Sequence, residues 1–486
     1  MQYMNKKVPG LVVAGLRGGS GKTVISLGIA AAWKNSGLGV APFKKGPDYI
    51  DAGWLSLAAG RSCYNLDTYL CSISQVQKSF YSHCQECDIA LVEGNRGLFD
   101  GIDLEGRTST AELAKLLNLP LLLVLDCTKS TRTMAALLLG CMHFDPDLNI
   151  LGVILNRVAG KRHENKVRDN IKKFCDLPVF GAVPKLLATD FPERHMGLVP
   201  MEEHSLSMDS VAAAARVAGE SIDLDMLYKA IISRSENSAQ IEPCEISINP
   251  SFSSSLFPAT GLSRPSTPAL WKKNRPVIGI LRDSAFQFYY PDNLEALEAC
   301  GARLEYISPL RESVIPHVDA IYMGGGFPET HAPQLAANKG FSENLRRLAM
   351  DGLPIYAECG GFIFLGKSLF LEGVRYPMAG VLPVNFGMSK RPVGHGYTEV
   401  RVVENNPYFK MGEVIKGHEF RYSKVLDIDL TGGAMAFAMV RGKGIVDKQD
   451  GFFRDNVFAT YTHILASGTP SWAESILNKA LAYKNR

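Results

Sequence analysis

From residue 11 the chain alternates short apolar runs with longer amphipathic stretches: LVVAG, then TVISLGIAAAWKNSG, then IALVEG, LLLVLD, ILGVILN and VFGAV. Brief runs of Val, Ile and Leu without polar alternation are the pattern of strands buried on both faces, and the amphipathic stretches between them predict crossover helices. The expected architecture is therefore α/β, a parallel sheet with helices on both faces. The pattern stops near residue 230. From Ser233 to Pro276, a stretch including NPSFSSSLFPATGLSRPSTP, Ser, Pro and Gly dominate with no apolar period, which predicts a solvated linker. Alternation then resumes with VIGILRD, LEYISPL, AIYMGGG and PIYAECGG, before a strand-rich, glycine-interrupted stretch that ends at VFATYTHIL and a C-terminal helix. Residues 1–232 and 276–486 thus read as two α/β domains joined by a linker at 233–275, with no internal repeat.

Length and composition fit that division. A chain of 486 residues exceeds what one hydrophobic core organises, and 46% hydrophobic with 21% charged residues is ordinary globular composition. A formal charge of +3 is nearly neutral at this length, which argues against nucleic acid or a membrane surface as partner. The start, MQYMNKKVPGLVVAG, lacks the long apolar region and cleavage site of a secretory signal, and no apolar stretch is long enough to span a bilayer. The expectation is a cytoplasmic protein, monomeric or homodimeric. Ten cysteines without a framework spacing suit a reducing compartment, and the close pair Cys84 and Cys87 has no second pair to complete a zinc site.

The first candidate chemistry is Gly15-Leu16-Arg17-Gly18-Gly19-Ser20-Gly21-Lys22-Thr23, set between an apolar strand and an amphipathic helix. Glycines there let successive backbone N–H groups point at phosphate oxygens. Lys22 can neutralise the β- and γ-phosphates of ATP, and the Thr23 hydroxyl can ligate Mg²⁺. The expected nucleotide contacts are Gly18, Gly19, Ser20, Gly21, Lys22 and Thr23. The spacing departs from the standard Walker A, since Leu16 stands where its first glycine should be. In this the loop resembles the variant of the dethiobiotin synthetase and MinD superfamily, with Arg17 in place of the extra lysine of MinD-type switches. Glu93 ends IALVEG at the carboxyl end of a strand, where a carboxylate can hold Mg²⁺. Asn156 ends ILGVILN, from where an amide could read the nucleotide base. Lys44, Lys45, Asp48 and Asp51 fall in FKKGPDYID and Asp100 in GLFDG. Acids beside a phosphate site are costly unless a cation or substrate needs them, so Asp48, Asp51 and Asp100 are candidate substrate or metal-shell residues.

The second candidate chemistry is Ala357-Glu358-Cys359-Gly360-Gly361, where small residues flank a cysteine between a strand and a helix-like run. This is the setting of a nucleophile elbow. A free thiol needs a basic neighbour to react at neutral pH, and His463 in TYTHIL is the best partner. A triad would place a glutamate two residues after that histidine, but Leu465 occupies the position, so the reading is a Cys–His dyad with its third group unidentified. The backbone N–H groups of Gly325 and Gly326, in the loop Gly324-Gly325-Gly326-Phe327-Pro328-Glu329, offer an oxyanion hole for a tetrahedral intermediate on glutamine's side-chain amide. His395 and His418 read as structural or pocket-lining groups.

Taken together, AGLRGGSGKT, PFKKGPDYIDAGW, NLDTYL, VEGNRGLFDG, PERHMGLVP, GGGFPE, AECGGFIFLG, KGHEFRYS and YTHIL resemble the cobyrinic acid a,c-diamide synthase family in order across nearly the whole chain. The resemblance implies a phosphate-binding parallel α/β domain joined to a class I glutamine amidotransferase-like α/β domain. It further implies ATP-driven phosphorylation of the c and then the a acetate carboxylate of cobyrinate or a related tetrapyrrole, followed by displacement of phosphate by ammonia from L-glutamine. By the same resemblance Cys359 is the nucleophile, His463 its activator, and Asp48 and Asp100 substrate or metal contacts. Two departures bear on the substrate. Arg17-Gly18-Gly19 stands where the family more often has Ser or Thr, and Asn95 and Arg96 stand where small or apolar residues are usual. Two other readings are an enzyme amidating nickel-sirohydrochlorin and, from another class, a MinD- or ParA-like ATPase switch, which would leave Cys359 and His463 without a purpose.

Overall fold

The computed structural model describes residues 8–186, 207–237 and 275–486, and the backbone of 193–194 and 197–198. The chain divides into two compact units, Met1–Glu245 and Ile246–Arg486.

The first unit is built on a parallel sheet of seven strands, numbered along the chain as β1 (Gly10–Gly15), β2 (Val40–Lys45), β3 (Tyr64–Leu66), β4 (Ile89–Glu93), β5 (Leu121–Asp126), β6 (Ile150–Val158) and β7 (Val179–Pro184). In space the order is β3-β2-β4-β1-β5-β6-β7. Every neighbouring pair is parallel. Because β1 sits between β4 and β5, and the chain leaves it in one direction and returns on the other side, the carboxyl ends of β1, β4 and β5 border a switch point where open sheets gather ligands. All six positions of β1 are buried, as the unbroken apolar run requires. Helix Ser207–Ser221 packs closely on helix Lys22–Asn35, and a Cβ at Gly28 would stand 2.6 Å from the Ala214 carbonyl oxygen. Helix Leu224–Asn237 carries past Ser233, so the stretch read as linker begins inside a helix; 238–274 lie outside the described residues.

The second unit has a ten-stranded mixed sheet and a smaller four-stranded one. Strands Arg303–Ile307, Val277–Leu281, Ala320–Met323, Ile355–Glu358 and Val457–Thr460 run parallel in that spatial order. Beyond them Gln449–Arg454, Ala434–Arg441, Gly394–Val402, Val414–Arg421 and His463–Ile464 follow antiparallel. Thr460 ends the fifth strand and His463 begins the tenth, yet only Tyr461 and Thr462 separate them. Two residues cannot cross five strand spacings of about 4.8 Å each, so this half of the sheet must curl back on itself. An aromatic core of Tyr322, Tyr356, Phe458 and Trp472 fills one face, with Tyr356 and Phe458 stacked at 5.5 Å.

Candidate active site

In the first unit the loop after β1 delivers its glycines to open space. A Cβ at Gly18 or Gly19 would meet nothing within 4 Å, whereas one at Gly21, where φ is +89°, would lie 2.1 Å from Asn156 Nδ2. Helix Lys22–Asn35 begins directly behind Gly21 without a side-chain cap, so its first N–H groups are left for a ligand. Lys22 Nζ donates to the carbonyls of Arg17 (3.2 Å) and Arg96 (2.8 Å), bridging the loop to the segment after β4. Arg96 holds a left-handed φ of 54°, and this conformation turns its carbonyl to Lys22. That gives the unusual Asn95-Arg96 pair a structural role in the backbone.

Thr23, Lys44, Asp51 and Glu93 meet at the carboxyl ends of β2 and β4. Thr23 Oγ1 donates to Glu93 Oε1 at 2.7 Å, and Lys44 Nζ donates to Asp51 Oδ2 at 2.6 Å and to Glu93 Oε1 at 3.0 Å. Burial opposes the charge of Lys44, but Asp51 and Glu93 outweigh it and hold the ammonium above its ordinary range. Burial pushes the Glu93 carboxyl up, with Lys44 opposing. Glu93 Oε2 is buried without a hydrogen-bond partner among the described residues, a cost that a cation would relieve. No three His, Cys, Asp or Glu residues among those described are grouped to hold a metal by themselves. Mg²⁺ asks for less, since it takes one or two protein oxygens and completes its shell with phosphate and water. Thr23 and Glu93 fit that demand.

The other predicted residues divide. Asp51 belongs to this cluster. Asp48 lies next to it, its Oδ1 accepting from Asp51 N–H at 2.9 Å, and burial followed by the charge of Asp51 pushes its carboxyl up to about 7. Asp100 latches the loop after β4, its Oδ2 accepting from Gly97 N–H at 2.9 Å. Asn156 Nδ2 donates to the Ser20 carbonyl at 2.8 Å and its Oδ1 accepts from Arg157 N–H at 2.9 Å, which sets the amide against the glycine loop. The amide braces the loop from β6, which lies one strand beyond β5 from β1. Arg17 donates to Asp126 Oδ2 at 2.7 Å, an oxygen that Arg157 also contacts at 2.7 Å. Burial would raise the Asp126 carboxyl, but its bonds to Thr128, Arg17 and Arg157 hold it well below the usual carboxylate range.

In the second unit Cys359 follows the strand Ile355–Glu358 with φ 47° and ψ −95° and begins the helix Gly360–Leu365. A non-glycine residue with that backbone is strained, and here the surroundings force it: Cys359 N–H donates to Thr460 O at 2.8 Å, and Gly361 N–H to Gly324 O at 3.1 Å. A Cβ at Gly360 would stand 2.9 Å from Gly326 N, so the elbow and the glycine loop meet backbone to backbone. Gly326 itself, at φ +156°, passes so close to Ala285 that a Cβ would lie 2.1 Å from its carbonyl oxygen. At Gly325 a Cβ would lie 2.6 Å from His463 Cε1. The predicted nucleophile, histidine and glycines are therefore brought together.

The residue that sequence reasoning missed is Glu358. Its Oε2 lies 3.2 Å from His463 Nδ1, and its Oε1 accepts from Ile464 N–H at 3.4 Å. The expected dyad thus gains a third group from the position before the nucleophile. Glu358 ends the strand Ile355–Glu358 and His463 begins the strand His463–Ile464, and AEC carried that carboxylate in plain sight. Burial pulls the His463 imidazole down, but its bonds to Cys359 and Glu358 prevail and push it up to about 10. Burial raises the Glu358 carboxyl and His463 opposes it. The ring of His418 stacks on His463 at 4.9 Å and faces the Tyr290 hydroxyl through Nδ1 at 3.2 Å. Burial first, then the charges of His463 and His395, hold it well below the ordinary histidine range, so it stays neutral. A basic histidine held by an acid beside a strained thiol can exchange a proton during attack on a carbonyl.

Residues 277–470 match the CobB/CobQ-like glutamine amidotransferase domain, and 11–199 match the CobQ/CobB/MinD/ParA nucleotide-binding domain. A cobyrinate a,c-diamide synthase of Magnetococcus marinus is 41% identical over 97% of this chain and 97% of its own. The chain belongs to that family. Others with the same name are 34% identical in Methanobrevibacter smithii, over 96% of this chain and 98% of that protein, and 35% identical in Archaeoglobus fulgidus, over the full length of both. Family membership makes the chain a ligase forming carbon–nitrogen bonds, with one nucleotide-binding and one glutamine amidotransferase domain. No helix among the described residues is long and apolar enough to cross a membrane.

Proposed function

We propose that this enzyme converts the a and c acetate carboxylates of cobyrinate to amides, using ATP to activate each carboxylate and glutamine as the nitrogen source. The observation that carries the reading is the Cys359–His463–Glu358 arrangement in a chain that also holds the Thr23–Glu93–Lys44–Asp51 cluster beside an open glycine loop.

In the second unit, Cys359 Sγ attacks the side-chain carbonyl of glutamine and His463 gives the departing nitrogen a proton, releasing ammonia. Water then cleaves the thioester to glutamate. Glu358 keeps His463 oriented and charged, and the backbone of Gly325 and Gly326 lines the side on which the oxyanion forms. In the first unit, the glycine loop and Lys22 hold the triphosphate while the substrate carboxylate takes its terminal phosphoryl group. Ammonia then displaces phosphate from the acyl phosphate, leaving the amide. Thr23 and Glu93 would hold Mg²⁺, which supplies charge neutralisation on the phosphate oxygens. Asp48, Asp51 and Asp100 order the acceptor's approach, and Lys44 sets the charge of the cluster.

A nucleotide switch without a product would leave the second arrangement idle. The deciding assay is purified protein with ATP, glutamine and either cobyrinate or nickel-sirohydrochlorin, followed by mass spectrometry. Diamide from cobyrinate is the expected result; exclusive amidation of the nickel compound would replace the substrate, and no amide from either would overturn the proposal.

A further inference from the structure

We propose that Asp450 is a positioning residue for the glutaminase, fixing the two-residue turn that delivers His463 to Cys359; the inference rests on reading that pair as the source of ammonia. Asp450 lies in the strand Gln449–Arg454 and is fully buried. Its Oδ2 accepts from Thr460 Oγ1 (2.8 Å), Thr462 Oγ1 (2.8 Å) and Thr462 N–H (3.0 Å), and its Oδ1 accepts from Tyr461 N–H (3.0 Å) and Gly451 N–H (2.9 Å). All but the last of these donors belong to residues 460–462.

Those three residues are where the curled sheet closes. On their other side they touch the reacting groups: the Thr460 carbonyl accepts from Cys359 N–H, and His463 follows Thr462 directly. Tyr461 is clamped as well, with the Arg421 guanidinium 3.7 Å from its ring centre, its hydroxyl 3.1 Å from Ser423 Oγ, and its edge against Phe362 in the helix after Cys359. The turn has no glycine, and its one local bond, Thr462 N–H to Thr460 Oγ1 at 3.0 Å, runs through a hydroxyl that Asp450 itself orients. An ionised carboxylate supplies acceptors only, so it can take all these N–H and O–H donors at once. Asparagine at this place would offer one oxygen and turn an NH₂ toward donors. Asp450 touches neither Cys359 nor His463, so its influence passes through the backbone of the turn.

The test uses the full chain carrying Asp450→Asn, with Thr462→Val as a milder variant that keeps the side-chain shape and removes one donor. Three readouts are compared: glutamine-dependent synthesis, ammonia-dependent synthesis, and the pH dependence of Cys359 alkylation by iodoacetamide. Asp450→Asn should lower kcat with glutamine by about thirtyfold or more, with KM for glutamine within about threefold and the ammonia reaction within about twofold. The alkylation profile should shift as the imidazole moves from the thiol. Thr462→Val should move the same readouts in the same direction by a smaller factor, and it decides the matter if Asp450→Asn fails to fold. The inference is overturned if Thr462→Val and any folded Asp450→Asn keep wild-type glutamine turnover, if both nitrogen sources lose activity in step, or if turnover falls with an unshifted alkylation profile. Undiminished glutamine-dependent synthesis in Cys359→Ala would instead sink the reading of the pair itself.

Discussion

The two sites differ in how much of each is finished before substrates arrive. Around the glycine loop, side chains that should face phosphate or metal rest on protein groups: Lys22 on the carbonyls of Arg17 and Arg96, Lys44 between Asp51 and Glu93. Among the described residues Glu93 Oε2 has no hydrogen-bond partner, which suits a group that meets a cation. Around Cys359 the strained backbone, the histidine and the acid are already in register and buried. Phosphoryl transfer brings much of its own charge, so that site can wait for it. A thiol has to be made reactive by its neighbours alone, and those neighbours must be held in advance.

The sharpest way to break this comparison is to remove one key group from each side. Lys22→Ala should reduce amidation about a thousandfold or more with either ammonia or glutamine, because the Lys22 ammonium spans the loop from Arg17 to Arg96 where the phosphates would sit. Cys359→Ala should cost as much with glutamine while leaving the ammonia reaction near wild type. Loss of the ammonia reaction in folded Cys359→Ala would erase the division of labour.

Next in size is Glu358→Gln, expected to lower glutamine turnover about ten- to a hundredfold. Its pH dependence has a definite sign. The His463 pKa is raised, so the imidazolium is present below about 10 and is lost as pH rises through that value. Removing Glu358 removes one of the groups that raise it, so the alkaline fall in kcat/KM for glutamine should move to lower pH. An unmoved alkaline limb would argue that Glu358 does not govern the histidine.

Gly325→Ala should be smaller, about tenfold on glutamine turnover, since its Cβ would push His463 Cε1 from 2.6 Å while the ammonia reaction stays intact. Smallest is Asn156→Ala, which frees the Ser20 carbonyl from its brace and should raise KM for ATP a fewfold, with about 1 kcal/mol lost in stability. Thermal melts with and without ATP would show it: a loss larger with ATP than without marks a residue that shapes the bound loop.

The parts legible in the sequence are those written in neighbouring residues. A strand, a glycine loop and a helix in succession specify the phosphate site, and Glu358-Cys359-Gly360-Gly361 after an apolar strand specify the elbow. Glu358 is not legible from triad spacing because that spacing counts along the chain from His463, while the acid arrives from the strand Ile355–Glu358. Asn156 was placed at the correct sheet end, but only the order of β1, β5 and β6 shows that its amide meets Ser20. Arg17 and Asp126 pair for the same reason, through strand neighbours distant in sequence. The antiparallel half of the second unit gave the least, since its pattern announces strands and not the closure that joins the fifth to the tenth.

That closure bears on how the protein is made. Glu358 and His463 stand 105 residues apart in the chain, and the turn at 461–462 can form only when the antiparallel strands before it have paired. Contacts spanning such lengths come late in folding. A ribosome-bound or refolding chain would therefore acquire its nucleotide loop well before its thiol became reactive, and the gain of iodoacetamide sensitivity at Cys359 would serve as a clock for the last step of maturation.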